Sequence, residues 1–152
     1  MKNGTGTEPV KAYLDTSLLV KRYTPEPLSE KFEQFLCEAQ PDLVVSELTR
    51  LELASMLARK RRDGLLSDTD LEVVRRQSDA DFLAGTIEVI KIESQVIQRA
   101  LELMLTLASP VATLDAVHLA TALQENATLF MTDDRQLARA AIASGLAVWP
   151  SH

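Results

Sequence analysis

Five short apolar segments, at residues 10-14, 43-45, 87-90, 128-132 and 146-149, alternate with stretches of helical spacing, and no two are joined by a tight hairpin turn. Strands without hairpins must be linked by crossovers, which makes the sheet mainly parallel and covers it with helices on both faces. The expected fold is a three-layer α/β/α domain with a small sheet of four or five strands, outnumbered by its helices. The helices expected between them run from Ser17 to Tyr23, from the Pro25-Glu26-Pro27 turn to Glu38, from a Ser46 cap to Arg62, and from Ser67 to Leu83. Three more follow: Glu93 to Leu107, with apolar residues at Val96, Ile97, Ala100, Leu101, Leu103, Met104 and Leu107, then Thr113 to Asn126, and finally 134-144, ended by Gly145.

At 152 residues the chain fits one domain and no second core. Residues 1-9 are polar and end at Pro9, which reads as a flexible leader before a domain over 10-152. Apolar residues make up 46% of the chain, yet no stretch approaches the roughly 20 residues of a membrane span, so no membrane partner is expected. The opening residues carry no apolar signal core, and the single Cys37 has no internal partner, which together suggest a reducing cytoplasm. A net charge of -6 argues against nonspecific adhesion to nucleic acid. It leaves room for a local basic rim, because carboxylates committed to a cation lose their long-range field.

Four acids sit where such a fold concentrates chemistry. Asp15 closes the first apolar segment and Asp134 follows the fourth, so both stand at the carboxyl edge of the sheet, where open α/β sheets place their ligands. Glu52 shares a side of its helix with Leu48, Leu51, Ser55 and Met56, opposite Glu47, Arg50 and Arg61, and therefore faces inward. An inward carboxylate needs a partner, a proton or a metal, and Arg59 two turns on is the ordinary salt-bridge candidate. Asp115 lies in the first turn of its helix, where the helix dipole alone would favour it. Asp133 and Asp134 both precede a helix, and one of them is expected to serve as N-cap.

In this order the residues carry a resemblance. Tyr13-Leu14-Asp15-Thr16-Ser17, Ser46 to Glu52, Thr113 to Ala122, and Phe130-Met131-Thr132-Asp133-Asp134 resemble the four acidic motifs of PIN-domain ribonucleases, specifically the VapC-like toxins of type II toxin-antitoxin pairs. The match spans nearly all of residues 10-149. The resemblance implies a PIN-like fold and endonucleolytic RNA cleavage leaving a 5′-phosphate and a 3′-hydroxyl. It also implies one or two Mg²⁺ or Mn²⁺ ions, hard cations suited to oxygen ligands. Asp15 and Asp115 would be the principal metal ligands, with Glu52 and Asp134 completing the site directly or through water. Asp134, rather than Asp133, takes the fourth position by its Thr-x-Asp spacing. Thr16, Ser17 and Thr132 would orient carboxylates or waters, and His118, one turn after Asp115, can approach the site or serve the core.

The basic run Arg59-Lys60-Arg61-Arg62 suits the C-terminal end of its helix, and Arg59, Lys60, Arg62 and Arg135 are candidates for RNA contact. The helices at 17-23, 28-38 and 47-58 carry more apolar residues than one core needs, which suggests an antitoxin surface or a homodimer. Two rival readings remain. A metal-dependent phosphatase of the haloacid dehalogenase type would want a second Asp where Ser17 stands, and a PIN-like module without nuclease activity would bind RNA or protein only.

Overall fold

The computed structural model describes residues 8-151. Most of the expected leader, residues 1-7, lies outside the described residues, and Glu8, Pro9 and Val10 are exposed and outside any strand. The elements run β1 (Lys11–Leu14), α1 (Thr16–Tyr23), α2 (Ser29–Ala39), β2 (Asp42–Ser46), α3 (Glu47–Arg62), α4 (Asp68–Leu83), β3 (Ile87–Ile90), α5 (Ser94–Thr106), α6 (Thr113–Gln124), β4 (Leu129–Met131), α7 (Arg135–Ala143) and β5 (Ala147–Trp149). All five strands are parallel, in the order β3-β2-β1-β4-β5. Element ends agree with the expected ones to within a few residues, and the short segment at 87-90 is a true edge strand, pairing Leu43 to Ile87 and Ser46 to Ile90.

The period of two along the strands divides the core cleanly. Ala12, Leu14, Leu43, Val45 and Met131 point to one face, where they meet Leu18, Leu19 and Phe32 of α1 and α2, Leu53 and Leu57 of α3, and Val74 of α4. Tyr13, Val44 and Phe130 point to the other, against Leu119 and Ala122 of α6 and Leu137, Ala140 and Ala141 of α7. A third cluster joins Val96 and Ala100 of α5 to Ala116, Val117 and Ala120 of α6, so α5 rests largely on another helix rather than on the sheet. The small residues of α6 permit that close approach.

Helix ends follow the expected chemistry. Ser46 accepts from the Leu48 amide and Ser67 from the Asp70 amide, each satisfying a first-turn donor. Gly145 follows the last residues of α7 with φ of 89°, a left-handed conformation that suits a residue without a Cβ.

The apolar surplus differs from expectation. Leu18, Leu19, Val20 and Phe32 are consumed by the core, so α1 and α2 leave little over. Exposed apolar side chains remain on α3 as expected, at Leu51, and lie also on α4 at Val73 and Leu83, on α5 and the start of α6 at Ile97, Leu101, Met104, Leu105 and Leu114, and on α7 at Ile142. A helical wheel counts apolar residues but does not know which other helix will claim them. No helix among the described residues is long and apolar enough to cross a membrane.

Candidate active site at the carboxyl edge of the sheet

From β1 the chain proceeds to β2 and β3 on one side of the sheet, and β4 and β5 add on the other. The order therefore reverses between β1 and β4, and the crevice beyond their carboxyl ends is the natural place for a site in a parallel sheet. Asp15 stands directly after β1, and its amide continues the sheet ladder by donating to the Met131 carbonyl at 2.9 Å. Thr132, Asp133 and Asp134 follow β4. Residues 13 and 15 share a strand face, which directs Asp15 toward α6, the helix carrying Asp115 and His118.

Asp15 is buried and held firmly. The Ser17 hydroxyl donates to Asp15 Oδ2 at 2.6 Å and the Thr132 hydroxyl donates to the same oxygen at 2.9 Å. Both hydroxyls accept in turn, Ser17 Oγ from the Asp133 amide and Thr132 Oγ1 from the Asp134 amide, each at 3.0 Å. Two short hydrogen bonds occupy the two lone pairs of Oδ2, which leaves Oδ1 as the oxygen free to bind a cation. Ser17 and Thr132 thus both hydrogen-bond the carboxylate of Asp15. Thr16 does not: it is buried in the first turn of α1 and its hydroxyl has no hydrogen-bond partner.

Glu52 is half-buried, its side chain 26% exposed, and of the neighbours expected on its side Leu48 and Met56 do pack against the core, but the other two do not. Leu51 and Ser55 face solvent, and the buried stripe of α3 is Thr49, Leu53 and Leu57. Glu52 lies on the edge of that stripe, close enough to turn into the crevice. Arg59 is exposed and makes no pair with it; the partner of Glu52 is His118, whose Nε2 hydrogen-bonds Oε1. His118 is fully buried, and its Nε2 also stands 3.9 Å from Asp15 Oδ1. Burial disfavours the imidazolium, but the hydrogen bond to Glu52 and the fields of Asp15, Glu52 and Asp115 outweigh it and lift the pKa above its ordinary 6.5.

Asp115 is half-buried and makes no hydrogen bond or ion pair among the described residues. Its pKa is pushed up from 3.8 to about 6, first by burial and then by repulsion from Asp15 and Asp134, with Glu52 adding to the same sense and His118 opposing. The four acids therefore share one field, although they come from four separate parts of the chain. Among the described residues none of them pairs with a Lys or Arg. Asp134 is the N-cap of α7: its Oδ1 accepts from the Gln136 amide at 2.8 Å and the Leu137 amide at 3.0 Å, leaving Oδ2 uncommitted. One aspartate thus serves as cap and site acid together, while Asp133 turns away to pair with Lys21 at 3.3 Å.

This donor set fits a hard divalent cation. It offers carboxylate oxygens, no thiolate, mutual repulsion that a cation would relieve, and access from solvent for water ligands. Among the described residues no group of three or more His, Cys, Asp or Glu side chains converges closely enough to form a ready ligand cage. Of the basic candidates, Arg59, Arg62 and Arg135 are exposed, whereas Lys60 is committed to Glu26 at 2.6 Å.

Residues 12–143 match the model of the PIN domain, and the chain belongs to that family. No curated protein matches it. Among solved structures it is similar to VapC20 of Mycobacterium tuberculosis, a Sarcin-Ricin loop cleaving toxin, at TM-score 0.66 and 16% identity over 86% of this chain and 95% of that one. It is similar to a toxin-antitoxin complex from Klebsiella pneumoniae at TM-score 0.59 and 19% identity, covering 84% of this chain and 90% of that one. It is also similar to VapBC2 of Rickettsia felis, bound to a DNA fragment from their promoter, at TM-score 0.62 and 17% identity over 91% and 97% of the two chains. At such identities the likeness is one of fold.

Two residues that join the crevice to the core carry little sequence signal. His118 is three residues after Asp115 and so on the same side of α6, which is a legible hint. The role of Tyr13 is not legible, since its partner His118 is 105 residues away.

Proposed function

We propose that this protein is a metal-dependent endoribonuclease and the toxin of a toxin-antitoxin pair. One observation carries the reading: the carboxyl of Asp115 shares the crevice at the switch of strand order with Asp15, Glu52 and Asp134, and among the described residues no Lys or Arg pairs with any of them. Four carboxylates in one crevice, relieved only in part by the His118 imidazole, repel one another, and a bound cation would relieve that repulsion. Asp15 through Oδ1 and Asp115 would hold Mg²⁺ or Mn²⁺, with Glu52 and Asp134 binding directly or through water. The ion, when bound, would lower the pKa of a water and offset charge on the scissile phosphate.

The chain's own residues supply the rest. Ser17 and Thr132 hold Asp15 against reorientation, so that Oδ1 stays aimed at the crevice. The capping bonds of Asp134 fix its carboxylate in the same way. Arg135 stands next to Asp134 at the rim, and with Arg59 and Arg62 it is the group we assign to RNA phosphates. RNA as substrate is supported by the described activity of the Mycobacterium tuberculosis relative.

Two of the relatives are complexes that support an antitoxin partner. The surface we assign to it is the groove of about 740 Å³ between α3 and α4, with Leu53, Leu57, Leu71 and Phe82 as its apolar lining and both basic and acidic side chains, among them Arg50, Arg75, Glu47 and Asp79, around it. The apolar face of an amphipathic helix would suit that lining. We assign the second exposed apolar stripe, Ile97, Leu101 and Met104 of α5, to a homodimer contact; a monomer by sedimentation at micromolar concentration would remove that assignment.

The deciding experiment is cleavage of total RNA with Mg²⁺ or Mn²⁺, with EDTA, and with Asp15→Asn or Asp115→Asn. Cleavage that requires the ion and is lost in both variants is expected. Equal RNA decay in all arms would leave a PIN-domain binding module without nuclease activity.

A further inference from the structure

The polar chain beneath the crevice does more than fill the core. Tyr13 is fully buried at the centre of the sheet, stacked on Phe130 with ring centroids 5.3 Å apart and edge-on to His118 at 5.8 Å. Its hydroxyl accepts from the Ser46 amide at 3.1 Å and lies 2.6 Å from His118 Nδ1. A tyrosine phenol carries its proton at neutral pH. The phenol can give that proton to Nδ1, which makes Nδ1 an acceptor and leaves the ring proton on Nε2. Nε2 faces Glu52 Oε1, an acceptor when ionised, so every group in the chain from Ser46 to Glu52 is satisfied in one direction.

The same Nε2–H stands 3.9 Å from Asp15 Oδ1, between two of the four acids. A buried N–H at that place fixes two things at once. It takes Oε1 of Glu52 and so leaves Oε2 for the crevice, and it keeps the carboxylates of Glu52 and Asp15 apart at a set spacing. Glu52 needs such help: α3 places it on the edge of the buried stripe, where a flexible side chain has several rotamers open to solvent.

We infer that His118, held by Tyr13, is a positioning residue that orients Glu52 as an acid of the site through a proton kept on Nε2. The inference rests on the metal-dependent reading above for the purpose of the orientation, but the hydrogen bond itself does not. Orienting partners of this kind commonly change metal affinity by about 10- to 100-fold when removed.

Two measurements test it. The first needs no metal and no variant: ¹⁵N NMR of the His118 ring in EDTA at neutral pH should show Nε2 protonated. A ring with its proton on Nδ1 and a bare Nε2 overturns the inference. The second is Mn²⁺ titration followed by EPR, with folding checked by thermal melts. His118→Asn, whose amide is too short to reach Glu52, should weaken Mn²⁺ binding by about 10-fold or more. His118→Gln, whose amide reaches the place of Nε2, should restore most of the affinity.

If His118→Asn does not fold, the comparison moves to Tyr13→Phe and His118→Leu, which cannot hydrogen-bond Glu52, each alone and in a Glu52→Gln background. His118 acting through Glu52 predicts that its substitution costs no further affinity once Glu52 is neutral. Equal losses in both backgrounds would overturn the inference and leave His118 a core residue. Mn²⁺ binding by the wild type that His118→Asn does not move overturns the positioning role alone. No Mn²⁺ binding by the wild type overturns that role together with the metal-dependent reading.

Discussion

Replacing Asp115 by asparagine should make the metal-free protein more stable, which is not the usual result of removing a site residue. The Asp115 pKa is about two units above its ordinary 3.8, because burial and the charges of Asp15, Asp134 and Glu52 oppose its ionisation. At 1.36 kcal/mol per unit the full penalty is about 3 kcal/mol, and partial exposure screens it to roughly 1.5 kcal/mol. Losing a negative charge in the first turn of α6 forfeits about 0.5 kcal/mol of helix-dipole energy. The net gain expected for Asp115→Asn at pH 7.5 in EDTA is about 1 kcal/mol, or a rise in Tm of about 3 °C for a chain of this size.

The sign of the pH dependence separates this cause from others. An acid whose folded pKa is raised pays its penalty in full above the folded value, and pays nothing below the unfolded value. The wild type should therefore recover as pH falls from 6 toward 3.8, and the advantage of Asp115→Asn should shrink to about half at pH 5. In saturating Mn²⁺ the order should reverse, because the wild type gains binding energy that the variant lacks. Urea unfolding at pH 7.5 and pH 5, in EDTA and in Mn²⁺, measures all of this. If Asp115→Asn is less stable in EDTA at pH 7.5, or its gain does not depend on pH, Asp115 is serving α6 as a first-turn acid and the shared field is not what strains it.

Removing both hydroxyls that hold Asp15, as Ser17→Ala with Thr132→Val, should cost about 1 to 3 kcal/mol in urea unfolding and lower kcat for RNA cleavage by about tenfold or more. An unchanged kcat would show that Asp15 needs no holding. Asp134→Asn should retain nearly all the stability of α7, since asparagine caps about as well as aspartate, and still lose cleavage because the charge is gone. Asp133→Asn breaks only a partly exposed pair with Lys21, worth under about 1 kcal/mol, and should cleave RNA normally. Loss of activity in Asp133→Asn with retention in Asp134→Asn would reverse the assignment of the fourth acid.

Much of the site was legible because each acid is placed by its own local element. Asp15 ends a strand, Asp134 caps a helix, Asp115 opens one, and Ser17 follows Asp15 closely enough to meet it. Glu52 shows how a local argument can reach a sound conclusion on an imperfect basis. The wheel turned it inward among Leu48, Leu51, Ser55 and Met56, yet Leu51 and Ser55 face solvent and the buried stripe is Thr49, Leu53 and Leu57. An even-handed wheel has no way to choose between two partly apolar sides; packing against the sheet and α4 chooses. Likewise, Arg59 was a reasonable partner two turns along α3, but His118 is closer in space, 66 residues further along the chain.

The division between the two sources of information has a physical basis. Alternation of strand and helix, apolar period, caps and the ends of elements are short-range properties, so the chain alone determines a parallel three-layer domain and puts three of the acids at element ends and Glu52 about one and a half turns into a helix. What only tertiary structure decides is which of these ends meet. The order β3-β2-β1-β4-β5 brings the ends of β1 and β4 together, so that Thr132 reaches Asp15 across 117 residues. The same packing sets Tyr13 beneath His118 and His118 beside Glu52, and it spends the apolar residues of α1 and α2 in the core while leaving Ile97, Leu101 and Met104 of α5 exposed. Charge repulsion and hydrogen bonding act over a few ångströms of space regardless of separation along the chain, and therefore the chemistry of the crevice comes into being only on folding.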